Sequence, residues 1–338
     1  MSLSMKNKAW PDTAGEIRRV LEAAGYAADP ESGILCSSEN PERLYRKNPQ
    51  EILRGVFLAV RYGLKPDPAM EKAMFSQAGN LNCLDPERIY EELCKILPLA
   101  NAEDLIRFAP VLAAVIPELA PMMGFDQRSP HHGYDLYTHM AQVVAGTPGD
   151  LTMRWAALLH DIGKVPTFTL DETGRGHFYG HADKGAEMAD AILRRLKAPA
   201  ALRQQGVLLI EKHMAQLAPE KEQLRRQIGQ LGLHTVYQIL SLQQADNSNK
   251  GTAKSAENEK YIRILEILEE IRSEDGYFSL KDLAVGRSDL MEIGYSGRTI
   301  GILLNWLLDQ VVEKTLPNER DVLLSWAERV WSEAWRNS

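Results

Sequence analysis

The chain has 338 residues, of which 44% are hydrophobic and 25% charged, with a formal net charge of −7. That mix suits two or three domains with substantial cores. The acidic balance excludes a protein that coats nucleic acid nonspecifically, which needs many phosphate-neutralising cations, and leaves room only for a local basic groove. Cys36, Cys83 and Cys94 are odd in number and form no C-x-x-C pair, so reduced thiols in a cytoplasmic protein are expected. The longest apolar stretch, Val111 to Phe125, is broken by Pro117, Glu118 and Pro121, so no membrane span is expected.

In chain order, Thr13 to Glu16 reads as a capping box ahead of Ile17, Val20, Leu21 and Ala24, with Gly25 at the stop position. Asp85-Pro86 reads as an N-cap and first-turn proline ahead of Ile89, Leu93, Ile96 and Leu97. Tyr134 to Val144 has helical periodicity. Asp150 caps a helix carrying Leu151, Trp155, Leu158, Leu159 and Ile162, which Gly163 ends. Val165 to Leu170 and His177 to Tyr179 read as extended around the turn sequence Asp171-Glu172-Thr173-Gly174, which leaves room for a small hairpin. Asn247 to Glu259 reads as a polar linker, and Ile262, Leu265, Ile267, Leu268 and Ile271 as one apolar stripe.

The expected fold class is therefore all-α with at most one small β-hairpin. Three parts are expected: an N-terminal helical body over residues 1–128, a metal-binding domain over 129–250 and a helical tail over 251–338.

His139, His160, Asp161, His181, His213 and Asp246 all fall at the ends or on the faces of these helices. Neutral imidazole and carboxylate are the usual ligands of Zn, Fe, Mn and Ni, and a bundle can aim such groups from facing helices into one core. Any one of these histidines could equally be a satisfied packing residue; the ordered set points to metal. Lys164 reads either as a contact to a substrate phosphate or as a cation favoured at a helix C-terminus. His177 reads as a loop or packing residue, with a substrate contact as the alternative. His131 and His132 read as surface residues, with a substrate contact as the alternative. Gly297-Arg298-Thr299 opens a helix whose free N–H groups could take a phosphate, or merely packs. Arg194, Arg195, Lys197, Arg203, Arg225 and Arg226 read as a solvated charged face, with a basic surface as the alternative.

Leu158-Leu-His-Asp-Ile-Gly-Lys164, within the order H…HD…D, resembles the signature of the HD phosphohydrolase superfamily. The resemblance implies an all-helical domain holding one or two divalent ions (Mg, Mn, Ni, Fe or Zn). His139, His160, Asp161 and Asp246 would be the core ligands, and His181 and His213 the extra histidines of two-ion members. It implies phosphate-ester cleavage, with Asp161 and Lys164 in catalytic roles; beside it, Lys164, His177 and Arg298 are the candidate substrate contacts.

His160 to Glu187, Asn48 to Gly63, and Asp289 through Leu308 also resemble the body and tail of the bacterial CCA-adding tRNA nucleotidyltransferase and poly(A) polymerase family. That family's head carries a Gly-Gly turn and Asp-x-Asp carboxylates, which are not found before residue 60. Its nucleotide-selecting E-D-x-x-R-x-x-R motif falls on Lys47, Asn48, Glu51 and Arg54, of which only Arg54 matches.

The expected function is therefore a metal-dependent phosphohydrolase acting on nucleotides or RNA ends such as 2′,3′-cyclic phosphates, with no CTP or ATP incorporation. The expected partner is a nucleotide or RNA phosphate ester, with tRNA as a candidate. The alternative is a headless homologue that binds RNA or a partner and keeps a structural or vestigial metal site.

Overall fold

A computed structural model describes residues 14–29, 32–128, 134–248, 254–274, 280, 283–295, 298–312 and 315–336. The chain divides into two compact units, Met1–Ala215 with Ser241–Thr252, and Gln216–Leu240 with Ala253–Ser338.

In the first unit, α1 (Ala14–Ala23) leads into β1 (Tyr26–Asp29) and β2 (Ile34–Ser37), which pair antiparallel. Helices α2 (Pro41–Lys47) and α3 (Gln50–Tyr62) follow, and β3 (Lys65–Pro66) then returns parallel to β2, with Ile34 opposite Lys65 and Leu35 opposite Pro66. This three-stranded sheet corrects the all-α expectation. Its strands are only four, four and two residues long, too short for a period-2 pattern to stand out. The fold is otherwise mostly helical: α4 (Pro68–Gln77), α5 (Pro86–Ile96), α6 (Ala102–Arg107), α7 (Ala109–Val115), α8 (Leu136–Gly146), α9 (Leu151–Leu159), β4 (Thr169–Leu170), β5 (Gly176–His177), α10 (His181–Arg195) and α11 (Ala200–Lys212).

Three helix starts share one local solution. Asn40-Pro41, Asp67-Pro68 and Asp85-Pro86 each place a side-chain oxygen on first-turn backbone N–H groups and a proline where no N–H is needed. Asp135 and Asp150 cap α8 and α9 by accepting from the backbone N–H of Thr138 and Met153. The core centres on Trp155, fully buried and stacked on Tyr90 at 5.9 Å with 15° between the rings. Buried Arg154 beside it donates to the carbonyls of Val144, Ala100 and Pro148 at 2.7, 3.1 and 3.1 Å.

Strands β4 and β5 form the expected hairpin, shorter than expected because Val165 to Thr167 continue the turn after the 3-10 segment Ile162–Lys164. The cations read as a possible basic surface are neutralised in large part. Arg194 and Arg203 both pair with Asp190, Arg195 with Glu118 at 2.6 Å, Lys197 with Asp85 at 2.9 Å and Arg225 with Glu222 at 3.8 Å.

The second unit contains α12 (Lys221–Leu231), α14 (Lys254–Glu274), α15 (Arg287–Glu292), α16 (Arg298–Val312) and α17 (Arg320–Arg336). Helix α13 (Leu233–Ser248) gives its first turns to this unit and its residues from Ser241 onward to the first. Leu290, Leu307, Leu323 and Ala327 are fully buried at its centre. On α14 the buried stripe is Ile264, Ile267, Leu268 and Ile271. Ile262 and Leu265, placed in the stripe by the sequence reading, are exposed. The expected linker is helical at both its described ends, since Asn247 and Ser248 finish α13 and α14 starts at Lys254; residues 249–253 lie outside the described ones. Among the described residues no helix is long and apolar enough to cross a membrane.

Candidate metal centre

The six candidate ligands of the sequence reading converge, all within the first unit. His139 comes from α8. His160 and Asp161 follow α9, His181 is the first residue of α10, His213 ends α11 and Asp246 lies on α13. All but His181 are buried, and His160 has no exposed surface at all.

They form two groups that share Asp161. Ligand atoms of His139, His160, Asp161 and Asp246 lie within 4.8 Å of one another, as do those of Asp161, His181 and His213. The two carboxylate oxygens divide between them. Oδ2 lies 3.3 Å from His160 Nε2 and 3.7 Å from His139 Nε2, while Oδ1 lies 3.6 Å from His181 Nε2 and 3.8 Å from His213 Nε2. Asp246 Oδ1 is 2.9 Å from His139 Nε2. Ligands bound at about 2 Å to one ion stand at such mutual distances.

The hydrogen bonds on the far side of the rings set the tautomers. His160 Nδ1 donates to the Ala157 carbonyl at 2.8 Å, His181 Nδ1 to Phe178 at 2.8 Å and His213 Nδ1 to Ile210 at 2.6 Å. A carbonyl oxygen only accepts, so each Nδ1 carries the proton and, in the neutral ring, each Nε2 turns a lone pair to the cluster. Such outer contacts orient imidazoles that bind metal. His160 Nε2 is buried and makes no hydrogen bond, while buried Asp161 Oδ2 is paired with the Lys164 ammonium. An orphaned buried ring nitrogen is costly, and a cation would satisfy it. The residues therefore fit a divalent ion.

Electrostatics agree. Burial opposes charge on Asp161, but His160 and Lys164 override it and hold its carboxyl well below the usual carboxylate range. Burial likewise opposes protonation of His160, which Asp161 and Asp246 reverse, raising it above the ordinary imidazole value. Burial lowers His181, and burial together with neighbouring His160 pushes His213 down to about 4.

Lys164 is buried, with Nζ 2.6 Å from Asp161 Oδ2, 3.2 Å from Gln127 Oε1 and 5.4 Å from the centre of the Phe178 ring. Its charge is directed at the shared carboxylate. Gln127, 2% exposed, and Gln243, which donates to the carbonyls of His213 and Ala215, support the cluster without any sequence signal to mark them. The cluster does not include His177, whose Nε2 bonds Asp171 Oδ2 at 2.8 Å in the hairpin. Arg298 opens α16 in the second unit with its side chain outside the described ones, and His131, His132 and Gly297 are also outside.

Gly163 explains how two of these elements approach so closely. A Cβ there would overlap the carbonyl oxygen of His181 and the backbone nitrogen of Gly185. Only a residue without a side chain lets the 3-10 segment lie on the start of α10.

Residues 180–327 match the family described as tRNA nucleotidyltransferase domain 2, and residues 63–123 match "Probable RNA and SrmB- binding site of polymerase A". The A-adding tRNA nucleotidyltransferase of Deinococcus radiodurans is 31% identical over 75% of this chain and 62% of its own length. The CC-adding tRNA nucleotidyltransferase of Thermus thermophilus is 34% identical over 55% of this chain and 45% of its own. The chain thus spans less than two thirds of either relative. The crystal structure of the Bacillus stearothermophilus CCA-adding enzyme with CTP superposes with a TM-score of 0.48 at 17% identity, covering 93% of this chain and 73% of that one.

These relatives correct the expected function. A phosphohydrolase without nucleotide addition was expected from a seven-residue signature and its ligand set. The similarity runs over 277 residues to a protein named for adding nucleotides to tRNA. A buried His and Asp cluster could hold a cation, and structural and catalytic ions use the same ligand types. Ligand type alone therefore could not decide the reaction.

Proposed function

We propose that this chain is an RNA-binding module of the tRNA nucleotidyltransferase type, which holds tRNA on its body and tail while a buried metal site fixes the helices of its first unit. The observation that carries the reading is the similarity over 75% of the chain to a relative that acts on tRNA. The match of residues 63–123 to an RNA-binding segment supports it independently.

In this reading His139, His160 and Asp246 would hold one divalent ion and His181 and His213 a second, with Asp161 shared. Such an ion supplies charge neutralisation and a rigid tie between α8, α9, α10, α11 and α13. The protein's own groups prepare the site. Three backbone carbonyls aim the imidazoles, Lys164 holds the shared carboxylate ionised, and all the donors but those of half-buried His181 are buried.

The test is binding of deacylated tRNA against an unrelated folded RNA of equal length, at about 0.15 M salt, where weak nonspecific contacts are screened. Preferential tRNA binding is expected. Equal affinity for the two RNAs, or none for either, would overturn the proposal.

A further inference from the structure

The surface around α2 bears a feature that neither the metal centre nor the matched families assign. Asn40, Glu42, Arg43, Arg46 and Lys47 line a cavity of about 350 Å³. Arg43, Arg46 and Lys47 stand at i, i+3 and i+4, so they share one face of the helix. Tyr45, with no exposed surface, anchors the helix to the core. All three cations are exposed, and none makes an ion pair among the described residues. Elsewhere in the first unit surface cations are commonly paired, as Lys65, Lys184 and Arg195 are.

The only carboxylate lining the cavity is occupied. Glu42 Oε2 accepts from Gln77 Nε2 at 2.6 Å, and the same amide donates to the Glu42 carbonyl at 2.9 Å. Asn40 accepts from the backbone N–H of Arg43 at 3.0 Å, which leaves its own amide N–H groups available as donors. Three cations against one carboxylate give a local excess of two positive charges in a chain of net charge −7. Cations favour a helix C-terminus, which accounts for Arg46 and Lys47 singly. It does not account for Arg43 in the first turn, nor for all three meeting in one concavity without partners.

We propose that this cavity is a phosphate-binding site, with Arg43 and Arg46 supplying planar forks of donors, Lys47 a point charge and Asn40 a neutral donor. The phosphate comes either from an RNA backbone or from a free nucleotide. Only the first source rests on the RNA-binding reading above.

The experiment compares the full chain with the triple variant Arg43→Gln, Arg46→Gln, Lys47→Gln. A control removes three paired surface cations that lie outside the proposed RNA-holding segments instead: Lys184→Gln, Arg194→Gln, Arg225→Gln. Unchanged circular dichroism melts confirm that both variants fold. Each is titrated with deacylated tRNA over a salt series and with inorganic pyrophosphate by calorimetry. Loss of about tenfold or more in tRNA affinity, with a salt slope shallower by about two, is expected for the first variant and not for the control. If tRNA binding is untouched but pyrophosphate binding disappears, the site stands and its source is a nucleotide. If the native chain ignores tRNA yet binds pyrophosphate through these residues, the RNA-binding reading fails alone. Identical behaviour of native chain and triple variant towards both probes overturns the site.

Discussion

His181 and His213 face each other Nε2 to Nε2 at 3.3 Å, with the proton of each ring committed to a carbonyl on its other nitrogen. Two neutral imidazoles in that state present lone pair to lone pair. A cation between them, or a proton on one, relieves the opposition. Chelation is therefore expected to lower the melting temperature and reloading to restore it. An ion at a hundredfold excess over its Kd contributes about 2.7 kcal/mol, which at roughly 2–4 °C per kcal/mol for a unit of this size is about 5–11 °C. Asp161→Asn is expected to abolish both ions at once, read as metal stoichiometry by mass spectrometry. A melt indifferent to Zn, Mn and Mg would sink the metal proposal.

Acid should destabilise the metal-free protein through His213. Its folded pKa of about 4 lies below the ordinary imidazole value of about 6.5, so between those limits the unfolded chain takes a proton that the folded one refuses. Stability is then intact above pH 6.5 and falls towards pH 4, by up to about 3 kcal/mol from this group. His160, raised by Asp161, acts with the opposite sign: its contribution is present below 6.5 and fades as pH rises through its folded value. Urea unfolding of native protein and His213→Gln at several pH values between 4.5 and 7.5 isolates the first effect. The variant should show the flatter profile. Equal slopes would show that His213 is not held neutral.

Two Gly→Ala substitutions should diverge. Gly163→Ala drives a methyl into the backbone of α10, at a cost of about 1–3 kcal/mol or more, and separates His160 and Asp161 from His181. Gly229→Ala on α12 meets nothing within 4 Å and should be neutral or stabilising by roughly 0.5–1 kcal/mol. Thermal melts and metal content give both answers; metal retained at full stoichiometry in Gly163→Ala would contradict the close approach.

Arg154→Lys keeps the charge and loses the fork that serves three carbonyls. A loss of about 1–3 kcal/mol is expected, because a single ammonium cannot reach acceptors spread from Ala100 to Val144 and buried carbonyls go unsatisfied. Chemical denaturation measures it, and a variant within 0.5 kcal/mol of native, on the order of a neutral surface change, would show that Arg154 is dispensable.

The site was more legible in the sequence than the fold or the function. Asp85, Asp135 and Asp150 announce their helices because capping is local chemistry. The convergence of the six His and Asp residues could be anticipated because such groups beside apolar runs are rare, and each lies at a helix end or on an inward face. The sheet escaped because β3 pairs with β2 across three decades of sequence, with only two residues of its own. Gln127 and Gln243 escaped because a buried amide looks like any surface glutamine until the chain folds. The exposed Ile262 and Leu265 show the limit of periodicity. Branched apolar residues line α14 on more than one side, and packing alone selects which side is covered.

The bonds from His160 and His213 to Ala157 and Ile210 also finish α9 and α11, whose closing carbonyls have no further turn to accept from. One proton thus both seals a helix and tunes a donor. A replacement at either position will fray a terminus as it deletes a candidate ligand, so a loss there cannot be assigned to coordination alone. Asp246, which projects from within a continuous helix, carries no such double duty and is the cleaner position at which to separate architecture from coordination.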